Sequence, residues 1–177
     1  MHLQRLPAEE AAVRRYVEEL WLPYHRDLEA AVDGHGLADG VDLVAEEVPF
    51  RLDSLAADDY VLWVAVDGAD GDVDIAGGEG DLAGFVATDV DEAPSVFDRP
   101  DRLVVGDIYV HEQYRGTGLA DDLVARAAER ARNLGCPELA LDVDVDNDRA
   151  LAFYDSLGFE PRRYRMTARV ESLSENS

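Results

Sequence analysis

The stretch "LVVGDIYVHEQYRGTGLADDLVARAAERARNLGCPELALDVDV", residues 103–145, constrains the fold more than any other part of the chain. Its apolar, β-branched opening "LVVGDIYV" reads as a strand that leads through "HEQYRGTG" into a helix from about 117 to 134. Along that helix Leu119, Leu123, Ala127, Ala131 and Leu134 recur at helical spacing and give it one buried face, and Gly135 and Pro137 close it. "ELALDVDV", 138–145, is a further strand. A strand, a helix and a strand in this order imply a right-handed crossover, so the two strands run parallel or nearly so. The turn between strand and helix carries chemistry of its own. Where glycines lead a strand into a helix, consecutive backbone N–H groups point into one space at the positive end of the helix dipole, and that space suits a phosphate. Glycine at 116 and 118 lets the backbone approach an anion with no Cβ in the way. Taken alone, "GTGLAD" is weak evidence: it lacks the third glycine of the dinucleotide fingerprint and the Lys-Ser/Thr of a P-loop.

The flanking sequence alternates helix and strand. "LQRL" at 3–6 reads as a first strand, and "PAEEAAVRRYVEELWL" as a helix with proline at its entrance and acids in its first turn. Pro23 is expected to break this helix, "YHRDLEAAVDGHG" to continue as a second one ending in glycines, and 41–58 to be a helical link. "YVLWVAV" at 60–66 and "LAGFVATDV" at 82–90 pair as a hairpin, and the acidic turn between them, 67–81, reads as a solvated, mobile loop. "NDRALAFYDSLGF" is a short helix closed by Gly158, and "RRYRMTARV" a last strand.

A chain of 177 residues with 47% apolar residues is expected to form one domain, 1–177, with a real core. No apolar run long enough for a membrane span and no signal-like start appear, so the expected compartment is the cytoplasm. Cys136, the one cysteine, is expected to be a small buried filler, and four scattered histidines offer no metal-ligand spacing. The net charge is −23, and all 16 basic residues are arginine. Acidity spread over the whole chain reads as a surface adapted to high salt, and it argues against nucleic acid or an acidic membrane as a partner. It also explains why an anion would be held by backbone N–H groups rather than by lysine.

Two motifs together resemble the GCN5-related N-acetyltransferase superfamily. "DIYVHEQYRGTGLADDLV" is similar to that family's acetyl-CoA signature through Gln113, Gly116 and Gly118, and "DVDVDNDRALAFYDSLGF" to its companion motif through Asn147, Ala150, Tyr154, Gly158 and Phe159. The resemblance covers about 103–160 and implies an α/β fold with a mixed central sheet, flanked by helices and splayed between the strands at about 103–110 and 138–145, with acetyl-CoA in the split. It implies that backbone amides from Arg115 through Gly116, Thr117, Gly118 and Leu119 to Ala120 hold the pyrophosphate. The pantetheine arm would pair with the strand through Ile108, Tyr109 and Val110. Asn147 and Ala150 would lie near the pantetheine, and Tyr154 would meet the coenzyme sulfur and protonate the leaving thiolate. No metal is implied.

For the general base two acids compete. Asp142 stands where the branch that acetylates protein N-termini has a glutamate, and Asp107 lies on the strand before the turn, where some small-amine acetyltransferases place an acid. Asp142 is favoured of the two, acting through a water because its side chain is short, while Asp144 and Asp146 read as solvent-facing carboxylates. The acceptor, a small-molecule or peptide amine, would be roofed by 8–58 and 159–170, with Trp21, Tyr24, His25 and His35 as candidate lining and packing as their commoner role. The tail after Phe159 is short for the family's final pair of strands, which leaves the outer wall and a homodimer through it open. Two other readings remain: a non-catalytic acyl-CoA-binding module, and a nucleotide-binding α/β protein, which would need a further glycine and a ribose-binding acid on the next strand.

The charge yields a first prediction. Repulsion among 39 carboxylates acts over a Debye length of about 30 Å at 0.01 M salt and about 3 Å at 1 M. The melting temperature is therefore expected to climb steeply with KCl; a flat profile into the molar range would show that the acidity is not a salt adaptation.

Overall fold

The computed structural model describes residues 1–173. Five strands form one mixed sheet in the order β1 (His2–Arg5), β2 (Val61–Asp67), β3 (Asp81–Asp91), β4 (Arg102–Val110) and β5 (Glu138–Leu141). The first four are antiparallel neighbours, and β4 and β5 are parallel, as the crossover through α4 (Leu119–Leu134) requires.

Each face of the sheet has its own core. On one face α1 (Glu10–Tyr16), the π turn that follows it and α3 (Leu43–Leu55) bring Val13, Tyr16, Leu20 and Val48 onto Leu62, Val64, Phe85 and Ala87, with Trp21 and Tyr24 packed beside them. On the other, α4 lays Leu119, Leu123, Ala127 and Ala131 over Trp63, Ala65, Val86 and Leu103. Fully buried side chains such as Leu20, Leu62, Leu103 and Leu123 each stabilise the fold by on the order of 1.5–3 kcal/mol relative to exposure. Leu134, the last apolar residue of the α4 pattern, is 52% exposed, because it sits at the final turn beside Gly135, whose positive φ ends the helix.

Several expectations need correction. The first strand is His2–Arg5 rather than 3–6. Pro23 does not break its helix: a π turn at Val17–Trp21, in which the Leu22 N–H reaches back to the Val17 carbonyl, carries α1 directly into α2 (Leu22–Ala31). The widened turn accommodates a residue that lacks an N–H, with Pro23 seated in the first turn of α2. The loop 67–81 is anchored rather than merely solvated. Ile75 is buried, Gln4 exchanges two hydrogen bonds with the Val73 backbone (3.0 and 2.9 Å), and Arg15 donates to the carbonyls of Glu79 (2.8 Å) and Gly80 (2.5 Å). β5 stops at Leu141, so Asp142 to Val145 are not strand, and "RRYRMTARV" forms no strand; it is an exposed segment leading into α6 (Val170–Leu173). α5 (Asp148–Ser156) and the helical link at α3 form as expected.

The feature that shapes the molecule's centre lies in β4. Ala87 of β3 faces Asp107, but the next residue, Thr88, faces Val105, so Gly106 is an extra residue, a β-bulge. Before it, Leu103 and Val105 point toward α4; after it, Ile108 and Val110 do, and Tyr109 turns to the opposite face beside Phe85 and Ala87. Without the extra residue, strict alternation would send Asp107 to the same side as Leu103 and Val105. At this same point β4 leaves β5, because the last parallel pair is Val105 with Leu141.

Beyond the bulge β3 and β4 approach closely at Gly84, which pairs with Val110. A Cβ on Gly84 would stand 2.5 Å from the Tyr109 carbonyl and 3.3 Å from Leu119 Cδ2. Gly84→Ala is therefore expected to lower stability by roughly 1–3 kcal/mol through overpacking, read from urea midpoints; an unchanged midpoint would contradict this close approach.

Candidate active site

Between β4 and α4 the chain makes a short 3-10 turn, Glu112–Tyr114, which His111 caps by accepting from the Gln113 N–H (3.4 Å). Gly116 and Gly118 then adopt φ of 77° and 88°, the left-handed region that costs an L side chain energy, and Gly118 is the N-cap of α4. Thr117 Oγ donates to the Tyr114 carbonyl (2.6 Å). Among the described residues, the N–H groups of Gly116, Thr117, Gly118, Leu119 and Ala120 donate no hydrogen bond. They form a row of free donors at the positive end of a 16-residue helix, which is what an anion needs. A second open feature lies beside it: past Val105, among the described residues, the β5-facing edge of β4 has no strand partner from Gly106 to Val110, the kind of edge an extended ligand arm can pair with.

Arg115 ties this turn to the helical roof. Its Nε donates to the Val110 carbonyl (3.2 Å), its Nη2 pairs with Asp27 of α2, and its guanidinium lies 5.8 Å from the centre of the Tyr109 ring. A second tie lies farther along. The Asp33 N–H donates to Asp146 (3.1 Å) and the His35 ring bonds Asp144 (2.8 Å), so the turn after α2 is fastened to the loop after β5. Asp144 and Asp146, expected to face solvent without a role, thus hold two loops together.

The bulge turns Asp107 into a group of polar aromatics. Its charge acts on Tyr16, Tyr24, His25, Glu47, Tyr60 and Tyr154. Burial, and then Asp107, push the Tyr24 phenol far above its ordinary range, and the same two causes push Tyr154 up to about 12. Burial lowers His25 despite the neighbouring carboxylate, so its ring is neutral at pH 7. Tyr24 also stacks among His25, Phe85 and Tyr109, with ring centres 4.8, 5.8 and 5.7 Å away. Behind this group Arg51, 5% exposed, donates to Glu47 (3.0 Å) and to the Tyr60 hydroxyl, and burial raises the Glu47 carboxyl more than the arginine lowers it.

The expected site residues therefore divide. The Asp107 carboxylate is close enough for its charge to act on the Tyr154 phenol. Asp142 is exposed just past the end of β5, and the charges acting on Tyr154 do not include it. Asn147 is the N-cap of α5, accepting from the Ala150 N–H (3.2 Å) through Oδ1, which leaves its amide NH₂ free. Ile108 packs toward α4, whereas Tyr109 is buried on the opposite face of the sheet. Among the described residues no three His, Cys, Asp or Glu side chains gather as a metal site. Sequence reasoning missed Gly106, Gly84, Arg51, Glu47 and Tyr60. A glycine inside a strand pattern, such as Gly106 in "LVVGDIYV", is the signal that would have marked the bulge.

Comparison with known proteins bears on the family and the fold. The acetyltransferase (GNAT) family model matches residues 37–159. The N-alpha-acetyltransferase MAK3 of Arabidopsis thaliana is 44% identical over 52 residues, 29% of this chain and 27% of that protein. N-alpha-acetyltransferase 30 of Schizosaccharomyces pombe is 40% identical over 48 residues, 27% and 32% of the two chains. The chain thus spans about a third or less of the curated relatives it matches. Among solved structures, a tetramutant of the BH1408 protein from Bacillus halodurans superposes with a TM-score of 0.75 at 14% identity, covering 96% of this chain and 100% of that one. The aminoglycoside N-acetyltransferase AAC(6')-Iy, solved with CoA, superposes at 0.64 with 18% identity over 95% and 93% of the two chains. At these identities the likeness is one of fold.

The buried phenols set an alkaline limit. Tyr16, Tyr24, Tyr60 and Tyr154 are raised in the folded state, whereas unfolded tyrosine ionises near about 10. Their contribution is fully present below pH ~10 and is lost as pH rises toward the folded values, because there the unfolded chain has released protons that the native one still holds. Phenolate absorbance from these rings is expected only together with cooperative loss of circular dichroism. Complete titration near pH 10 with the fold intact would contradict their burial.

Proposed function

Because the chain belongs to the acetyltransferase (GNAT) family, we propose that it transfers the acetyl group of acetyl-CoA directly to a primary amine, carried by a small molecule or by the N-terminus of a peptide. One observation carries this reading: the bulged strand that carries Asp107 parts from β5 after Val105 and runs into the turn whose Gly116–Ala120 N–H groups are free; the Asp107 charge also acts on Tyr154. The pyrophosphate would lie on those donors, and the pantetheine along the unpaired edge of β4 from Gly106 to Val110. The −23 charge, carried without lysine, supports a working place in a salt-rich cytoplasm.

The chemical burden is to present the amine without its proton, since free alkyl amines have pKa values near about 10. Asp107 would take that proton, directly or through one water, while the faces of Tyr24 and Tyr109 steady the incoming cation. The Tyr154 phenol keeps its proton throughout the neutral range, because its pKa is pushed up to about 12. It would therefore meet the departing sulfur as a hydrogen-bond donor, with complete proton transfer lagging behind C–S cleavage. Asp142, exposed beyond β5, is left without a proton-transfer role in this scheme.

The test is a coenzyme-release screen over amines and N-terminal peptides in molar KCl, with acetyl-CoA binding measured in parallel. Asp107→Asn is expected to lower kcat/KM on the order of 10²-fold or more near neutral pH and to recover part of it at high pH, where free amine is abundant. Tyr154→Phe should cost on the order of 10²-fold in kcat with coenzyme affinity nearly kept, and Asp142→Asn should stay close to wild type. Full activity in Asp107→Asn would remove that residue from the mechanism. Tight acetyl-CoA binding with no acyl transfer to any amine would favour a binding module instead.

A further inference from the structure

The face of the sheet that carries Asp107 is aromatic, and most of the charge around it is cancelled. Past the bulge Asp107 pairs with Ala87 and Tyr109 with Phe85, so Asp107 has Tyr109 on its own strand and Phe85 diagonally across. From Phe85 a row of rings runs outward. Tyr16 stands edge-on to it with ring centres 5.0 Å apart, and Tyr24 does the same at 5.8 Å. His25 lies 4.8 Å from Tyr24, and Trp21 4.4 Å from His25. A guanidinium caps the row at two places: Arg51 is 5.7 Å from the centre of the Tyr16 ring, and Arg115 is 5.8 Å from that of Tyr109. Tyr16, Phe85 and Tyr109 are buried, whereas Asp107, Tyr24, His25 and Trp21 keep part of their surface open to solvent. An arriving ligand therefore meets a carboxylate set among rings.

The carboxylates that act on Tyr16, Tyr24 and Tyr109 are Asp107, Glu47, Asp144 and Asp27. Three of them are engaged. Glu47 accepts from Arg51 one turn on along α3 (3.0 Å to Nε), Asp27 pairs with Arg115, and Asp144 bonds the His35 ring (2.8 Å). Among the described residues Asp107 makes no ion pair. We propose that Arg51 is a specificity-determining residue: by cancelling Glu47 it leaves Asp107 as the uncompensated charge among the rings, so the site selects amines that carry a single positive charge on an apolar or aromatic body. This inference rests on the acetyl-transfer reading and names its acceptor class. The lone ammonium meets Asp107 and the ring faces, and the body lies on Trp21, Tyr24 and the neutral His25. A second ammonium, as in a diamine or an aminoglycoside, would leave water for a surface with no free carboxylate to receive it, and an unpaired charge is costly to desolvate. Arg51 suits the task because a guanidinium stays charged at every working pH and its fork reaches both Glu47 and the Tyr60 hydroxyl.

The test compares coenzyme release with phenethylamine, butylamine, putrescine and kanamycin under saturating acetyl-CoA. Molar KCl keeps the −23 charge from gathering polycations non-specifically. Butylamine and putrescine differ by one ammonium, and kcat/KM is expected to favour butylamine by on the order of tenfold or more, with phenethylamine higher still. Arg51→Met uncovers Glu47 and should raise the putrescine-to-butylamine ratio by on the order of tenfold in alkaline buffer, where the uncovered carboxyl is ionised. Glu47→Gln keeps the arginine, leaves its charge uncancelled and should lower the same ratio. A merely structural role would depress both acceptors together and leave the ratio where it was. A wild type that prefers putrescine or kanamycin would overturn the acceptor class while acetyl transfer stands, and a ratio that neither variant moves would remove Arg51 from this role. Transfer to no amine at all would take down the catalytic reading and this inference with it.

Discussion

One extra residue in β4 organises the centre of this molecule. Gly106 interrupts the pairing of β3 with β4 between Val105 and Asp107, and at the same point the parallel pairing of β4 with β5 ends. The two events share a cause, because a bulged strand bends and twists away from its straight course. Upstream, Leu103 and Val105 keep the sheet sealed to α4; downstream, Asp107 joins the polar aromatics on the opposite face and an edge of β4 is set free. The split, the carboxylate facing it and the free edge along it are three consequences of one register change. Gly84 completes the arrangement by allowing β3 close enough to hold the end of β4 in place.

The protein's charge is consistent with how it builds sites. In a chain with 39 acids and no lysine, the free donors at the start of α4 are backbone N–H groups at a helix N-terminus, whose partial charge does not depend on side chains. Several of its arginines act as forks with more than one acceptor. Arg15 holds the 67–81 loop, Arg115 links the turn before α4 to α2, and Arg130 donates to the Thr88 carbonyl and hydroxyl (3.0 and 2.7 Å) and to the Asp59 carbonyl (2.7 Å). Lysine, with a point charge and no planar fork, would serve these multi-acceptor positions poorly.

Where sequence reading succeeded, the signal was local. The apolar spacing of Leu119 to Ala131, the glycines at 116 and 118 and the short helix after Asn147 each act within a few helical turns or one tight loop, and each appears where expected. Where it fell short, a distant partner decided. Pro23 is tolerated because a π turn precedes it, the 67–81 loop is ordered by Gln4 and Arg15 from far away in the chain, and Asp144 and Asp146 gain roles only when the 33–35 turn folds over them. The alternating pattern of "RRYRMTARV" predicts a strand, yet a strand exists only where a segment docks on a partner, and among the described residues this one docks on none.

The choice between Asp107 and Asp142 separates the two levels of information most clearly. By itself the sequence determined the strand–turn–helix–strand core, the free N–H donors at the start of α4 and the tyrosine on α5, because each follows from the chemistry of neighbouring residues. Which carboxylate would face that tyrosine was decided only in three dimensions. β5 closes after Leu141 and leaves Asp142 in solvent, while the bulge at Gly106 turns Asp107 inward. Strand length and register are properties of a pairing between segments, and no single segment encodes which of its two faces will meet the partner.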